Sequence, residues 1–211
     1  LTPAELLGRT ASNVSVVKTD LDSVTASGPE SVIYGETGNG FIVLTVAPNN
    51  LTNYTEHWFE LKNGAWTQIT GKGGTSYSPA NLDAGSHTIR GAVKSSGGWV
   101  LSNAVTVTVT PASIAGANIT LDHPSFVYDG AEKTPAVSSV TLNLTTLTKD
   151  TDYTVEVTGQ TNAGSDYTLT VKGKGNYTGT ATANWSITPM VLNYPSIDSP
   201  ITKQYDGSAA Y

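Results

Sequence analysis

Apolar positions in this chain recur with a period of two. Over residues 104–110 the pattern alternates strictly, with Val105, Val107 and Val109 on one side and threonines on the other. That is the signature of a strand with one buried face. Residues 88–94 alternate in the same way, and residues 41–47 (FIVLTVA) read as a continuous apolar strand. Residues 56–61 and 65–69 flank Asn63-Gly64, and Asn-Gly favours a type I′ hairpin because both positions accept positive φ. A helical signal is confined to the start, where Thr2-Pro3-Ala4-Glu5-Leu6-Leu7-Gly8 offers a cap, a proline at the first helical position and a glycine stop.

Composition agrees with an all-β chain. Of 211 residues only 13% are charged, while Thr, Ser, Gly, Asn and Val are abundant. With 38% hydrophobic residues and four Trp there is enough apolar material for a core, so the low charge does not signal disorder. The length suits two ordinary domains. Between residues 24 and 111 the pattern gives roughly seven closely spaced strands with Trp58 early in the hairpin, as expected of an immunoglobulin-like sandwich. This stretch resembles the immunoglobulin-like repeats of bacterial surface proteins, in which a Trp on the third strand fills the core and a Tyr follows the corner between the fifth and sixth strands. Trp58 matches the former, whereas His87 stands in the place of the corner Tyr, after Ala84-Gly85-Ser86.

A second organising feature is a phrase that occurs twice. Tyr128-Asp129-Gly130 returns as Tyr205-Asp206-Gly207, 77 residues on. Between them stand Lys133-Thr134-Pro135, Asp152-Tyr153-Thr154-Val155, Asn162-Ala163-Gly164, Tyr167 and residues 173–179 (GKGNYTG). Together these phrases resemble the YDG or MBG-type repeat of bacterial cell-surface and adhesin-like proteins, over residues 112–189. The resemblance implies a small β-sandwich module with an adhesive or spacer role at a cell surface. The phrases themselves read structurally: Asp129-Gly130 and the glycines around Asn176 supply turns, and Tyr153, Tyr167 and Tyr177 are expected to be half buried with hydroxyls at the rim. The expected organisation is therefore a leader or linker over 1–23, an immunoglobulin-like β-sandwich over 24–111, a YDG/MBG-type β-sandwich over 112–189 and the truncated start of a further repeat over 190–211.

Net charge is −6, from 11 basic and 17 acidic residues without a run of either sign, which argues against nucleic acid. The absence of Cys excludes a disulfide scaffold and thiolate metal sites, and leaves the compartment open. Residues 1–9 carry neither a basic n-region nor an apolar run, so no signal peptide or membrane insertion is expected in this stretch, which reads as a mature or excised fragment.

Catalytic motifs are missing from the sequence. His57, His87 and His123 stand in no metal-binding spacing, and there is no G-x-S-x-G elbow, Walker loop or dinucleotide fingerprint. Asp150 and Asp152 form the nearest thing to a carboxylate pair, and with Asp122 and Asp129 they are calcium candidates near a domain junction, although no EF-hand or RTX spacing is present. Trp66, at the hairpin, and Trp99, in an expected loop over residues 95–99, are the candidates for stacking on a sugar, or else for covering one end of the core. The reading is of a non-enzymatic extracellular module of a bacterial surface protein, without cofactor. Its role is adhesion to a glycan or a host or matrix protein, or spacing between neighbouring repeats. The alternative is a carbohydrate-binding module appended to a larger secreted enzyme.

Overall fold

The computed structural model describes residues 21–38, 40–50, 53–192 and 207. The expected helical turn near the start and nearly all of the second Tyr-Asp-Gly phrase lie outside the described residues.

The first half of the chain forms β1 (Ser23–Ser27), β2 (Ser31–Ile33), β3 (Ile42–Ala47), β4 (Thr55–Lys62), β5 (Ala65–Gln68), β6 (Ser76–Tyr77), β7 (Gly85–Ser95), β8 (Gly98–Leu101) and β9 (Val105–Thr110). One sheet runs β1-β3-β6 and the other β2-β9-β7-β4-β5, with β8 added to β7. β2 lies parallel to β9, because the chain passes from the first sheet to the second through Gly28-Pro29. Alternation decides what each strand buries. β9 puts Val107 and Val109 in the core, and β3, although apolar except for Thr45, buries Ile42, Leu44 and Val46 while Val43 stays 43% exposed. The Asn-Gly hairpin forms as expected, with Asn63 at φ 51° and Gly64 at φ 79°. Trp58 is wholly buried, lies 5.5 Å from Tyr77 between ring centroids, and donates from Nε1 to the Gly74 carbonyl at 3.0 Å. Leu21 already packs into this core, so the folded body begins before the boundary expected at residue 24.

The second half forms β10 (Ala112–Ser113), β11 (Asn118–Leu121), β12 (Ser125–Val127), β13 (Val137–Leu142), β14 (Thr145–Thr146), β15 (Tyr153–Val157), β16 (Gly164–Gly173), β17 (Tyr177–Thr178) and β18 (Thr180–Thr188). Its sheets run β11-β13-β14 and β12-β18-β16-β15, while β10 and β17 pair in parallel. A separate core gathers Ile114, Val140, Leu147, Tyr153, Leu169, Val171, Ile187 and Trp185. Tyr153, expected to reach the rim, is instead only 4% exposed, because its strand position faces inward.

Both halves repeat one design. In each, a short strand joins the second sheet parallel to the last strand, β2 on β9 and β12 on β18. Each also has a side chain at the start of its long central strand that bonds back to upstream backbone. Tyr167 donates from its hydroxyl to the Asn162 carbonyl at 2.8 Å, and His87 reaches the Asp83 carbonyl from Nε2 at 2.7 Å. The His in place of the corner Tyr therefore keeps the corner bond. The architecture is that of tandem immunoglobulin-like β-sandwiches, and only Pro111 separates the last strand of the first from the first strand of the second.

Candidate functional site

The register of the larger sheet brings the two candidate tryptophans to one face. In an antiparallel sheet, paired residues point the same way and neighbours along a strand point opposite ways. On β4, Trp58 and Glu60 face the core, so Thr55, His57, Phe59 and Leu61 face outward. Trp66 pairs with Leu61 and Gln68 with Phe59. On β7, Arg90 pairs with Phe59 and Ala92 with His57, while Lys94 pairs with both Thr55 and Trp99. Trp99 thus lies in β8, one arm of a tight hairpin, and not in the loop expected from its Ser-Gly surroundings.

Contacts across this face agree with the register. The Arg90 guanidinium lies 4.4 Å from the Trp66 ring centroid, and the Lys94 ammonium 5.7 Å from that of Trp99. His57 packs against Trp99 with centroids 5.1 Å apart, and its Nδ1 shares a 2.9 Å hydrogen bond with Gln68 Nε2. Beneath them Phe59 and Ala92 are fully buried, yet neither belongs to the sandwich core. Burial pushes the Arg90 guanidinium down from its ordinary value. An open cleft of about 470 Å³ adjoins His57 and Gln68, with Glu56 and Lys72 also on its walls.

The missed members of this face, Phe59, Arg90 and Lys94, had a readable signal. β4 carries large apolar side chains at both parities, Trp58 inward and Phe59 and Leu61 outward, which a strand with one solvated face does not need.

The acidic candidates are engaged in turns. Asp152 accepts the Thr148 N–H at Oδ2, 2.7 Å away, and Asp150 sits at φ 66°, its carbonyl bonded by Lys174 Nζ at 2.5 Å. Asp122 accepts the N–H groups of His123 and Ala136, and Asp129 those of Ala131 and the Lys133 ammonium. The backbone bond from Ala136 holds the Asp122 carboxyl below its ordinary range, and the Lys133 bond does so for Asp129. Among the described residues, no three His, Asp or Glu side chains are grouped so as to hold a metal ion.

A second cluster of polar and aromatic contacts lies at the junction. Asn176 receives the Ala84 N–H on Oδ1 at 2.6 Å and donates from Nδ2 to Asp83 Oδ1 at 2.9 Å. Its carbonyl accepts the Ala112 N–H at 3.0 Å. Beside it Tyr177 meets Tyr34 edge to face, centroids 5.5 Å apart.

Neither a protein-family model nor a curated protein matches the chain. Among solved structures it is similar to the three N-terminal domains of the bacteriophage RB49 highly immunogenic outer capsid protein, at 15% identity and a TM-score of 0.29. The match covers 79% of this chain and 59% of that one. A likeness at this level carries no assignment, and the fold rests on the strand pairing itself.

Proposed function

We propose that this chain is a non-catalytic extracellular module of a bacterial surface protein, in which two sandwiches joined end to end serve as a stiff spacer that also presents an adhesive face. The observation that carries the spacer reading is the junction. A flexible connection needs several free residues, whereas here Pro111 alone stands between β9 and β10 and the Asn176 side chain fastens the two bodies together. The resemblance of residues 112–189 to surface-protein repeats supports the location, and modules of that kind work by holding something away from a cell.

Small-angle X-ray scattering of the chain tests this reading. A rigid spacer gives a distance distribution with two resolved maxima and one relative orientation that fits the whole curve. A curve that requires a broad ensemble of orientations overturns it.

A further inference from the structure

Deepening the adhesive half of that reading, and resting on it, we infer that the outer face of the β2-β9-β7-β4-β5 sheet binds an acidic polysaccharide, with Trp66 and Trp99 carrying sugar rings and Arg90 and Lys94 taking carboxylate or sulfate groups.

Closing the sandwich does not require this face. The inward side of the same sheet is filled by Trp58, Ile89, Val93, Val107 and Val109, and the fully buried Phe59 and Ala92 belong to a separate layer on the opposite side. Trp66 and Trp99 are half-buried over this layer and Leu61 is 40% exposed, so apolar surface remains on the solvent side of the sheet, as it does at binding regions.

Charge then selects the partner. The chain carries a net −6, yet the outward strand positions of this sheet hold Arg90, Lys94 and His57 and no carboxylate: by register Glu56 and Glu60 alternate to the other side, Glu56 lining the cleft at the margin of the face. Three lysines elsewhere are paired with carboxylates, Lys62 with Glu60 at 3.0 Å, Lys133 with Asp129 at 2.5 Å and Lys172 with Glu156 at 2.7 Å, while Lys72, Lys149 and Lys174 stand off this sheet face. Arg90 and Lys94 have no such partner among the described residues and rest on indole rings instead. A cation over an aromatic ring keeps its full charge and is partly stripped of water, which strengthens its pull on an anion.

Geometry favours a polysaccharide over an acidic peptide. A peptide is taken up by adding to a strand edge or by laying a helix in a groove, and this is the flat middle of a sheet. Flat indoles spaced across strands, with the hydroxyls of Thr55, Thr88 and Thr106 on the same face, suit sugar rings and their hydroxyl groups. Two cations on an acidic protein are too few for nucleic acid, which demands many phosphate contacts at once.

Calorimetry and affinity electrophoresis of the whole chain decide the matter, with polygalacturonate and dextran sulfate as acidic probes, dextran as the neutral one and poly-glutamate as the acidic peptide. The expected result is binding to at least one acidic polysaccharide and none to dextran, weakening at least tenfold when salt is raised. Arg90→Gln with Lys94→Gln should weaken binding at least tenfold, as should Trp66→Ala with Trp99→Ala. Lys133→Gln with Lys172→Gln, away from this face, should leave it unchanged. Circular dichroism shows whether each variant is folded, and the Gln pair keeps the aliphatic cover if the Trp pair fails to fold. No binding to either acidic polysaccharide, equal loss in the distant Lys pair, or equal binding to poly-glutamate would overturn the inference. None of those outcomes alters the scattering curve on which the spacer reading stands.

Discussion

Asn176 of the second sandwich clamps Asp83 of the first, donating from Nδ2 to its carboxylate at 2.9 Å while its own Oδ1 takes the Ala84 N–H. Asp83 is in turn held from behind, because its carbonyl accepts the His87 Nε2 bond at 2.7 Å. The corner of one domain is thereby the docking point for the next. Asn176→Ala removes both side-chain bonds across the junction but leaves the Ala112 N–H on the Asn176 carbonyl and the parallel pairing of β10 with β17. Both sandwiches should fold as before, and their relative orientation should loosen. NMR relaxation checks this: the two domains are expected to tumble as one body in the parent protein and to acquire separate correlation times in the variant. Unchanged relaxation would place the stiffness in Pro111 and the Tyr34–Tyr177 contact.

His87 is also bonded on its other side. Nδ1 lies 2.7 Å from Glu60 Oε1, so the ring bridges the Glu60 carboxylate and the Asp83 carbonyl. Burial works against the Glu60 charge, but its bonds to His87 and Lys62 outweigh burial and hold the carboxyl below its ordinary range. A carboxyl with a lowered folded-state pKa adds stability above its unfolded pKa and loses it as pH falls through the folded value. Acidification below the ordinary carboxyl range should therefore destabilise the first sandwich. Glu60→Gln should cost on the order of 2 kcal/mol at neutral pH and flatten this acid-side loss. Thermal melts of the parent and variant between about pH 6 and pH 3 make the comparison.

Two glycines of the second sandwich should respond to alanine very differently. A Cβ on Gly173 would meet the Thr178 backbone, 2.6 Å from N and 2.8 Å from both Cα and C, and backbone in a strand cannot step aside. Gly173→Ala should cost about 3 kcal/mol and disturb β17, the strand that leads from Asn176. Gly130 of the Tyr-Asp-Gly phrase has φ 81° and open space around it, so Gly130→Ala should cost only about 1 kcal/mol, from backbone strain alone. Urea melts of the two variants side by side measure the difference. Equal losses would mean that the approach of β16 to Thr178 is not as tight as its geometry indicates.

The strands were legible because alternation of Val and Thr is a local property, and the Asn63-Gly64 hairpin because the turn needs those residues. His87 stood out only as a departure from the corner Tyr, since the sequence could not show that an imidazole there reaches an upstream carbonyl much as the Tyr167 phenol does. Trp66 and Trp99 were picked out as aromatic rings, but their meeting on one face depends on the pairing of β4 with β7, which no local pattern specifies. For the same reason Asn176 looked like a turn residue. Its partners lie 92 and 93 positions away, and contacts that distant are set by how the domains pack.

The two core tryptophans provide a last comparison, because they are buried alike and bonded differently. Trp58 is 0% and Trp185 2% exposed, and each is packed by aromatic neighbours, Tyr77 for the first and Phe126 and Tyr167 for the second. Trp58 Nε1 donates to the Gly74 carbonyl, whereas Trp185 Nε1 is buried without an acceptor among the described residues. Replacement by Phe opens a similar gap in both cores. At position 58 it also leaves a carbonyl unpaired, while at 185 it removes a donor that was already unpaired, and a buried unpaired donor is itself costly. Trp58→Phe should therefore destabilise its sandwich by at least about 1 kcal/mol more than Trp185→Phe destabilises the other. Hydrogen exchange of β4 and β18 amides, which reports each domain separately, measures both losses in one protein. An equal loss at the two sites would mean that the Gly74 bond adds nothing to the packing of the first core.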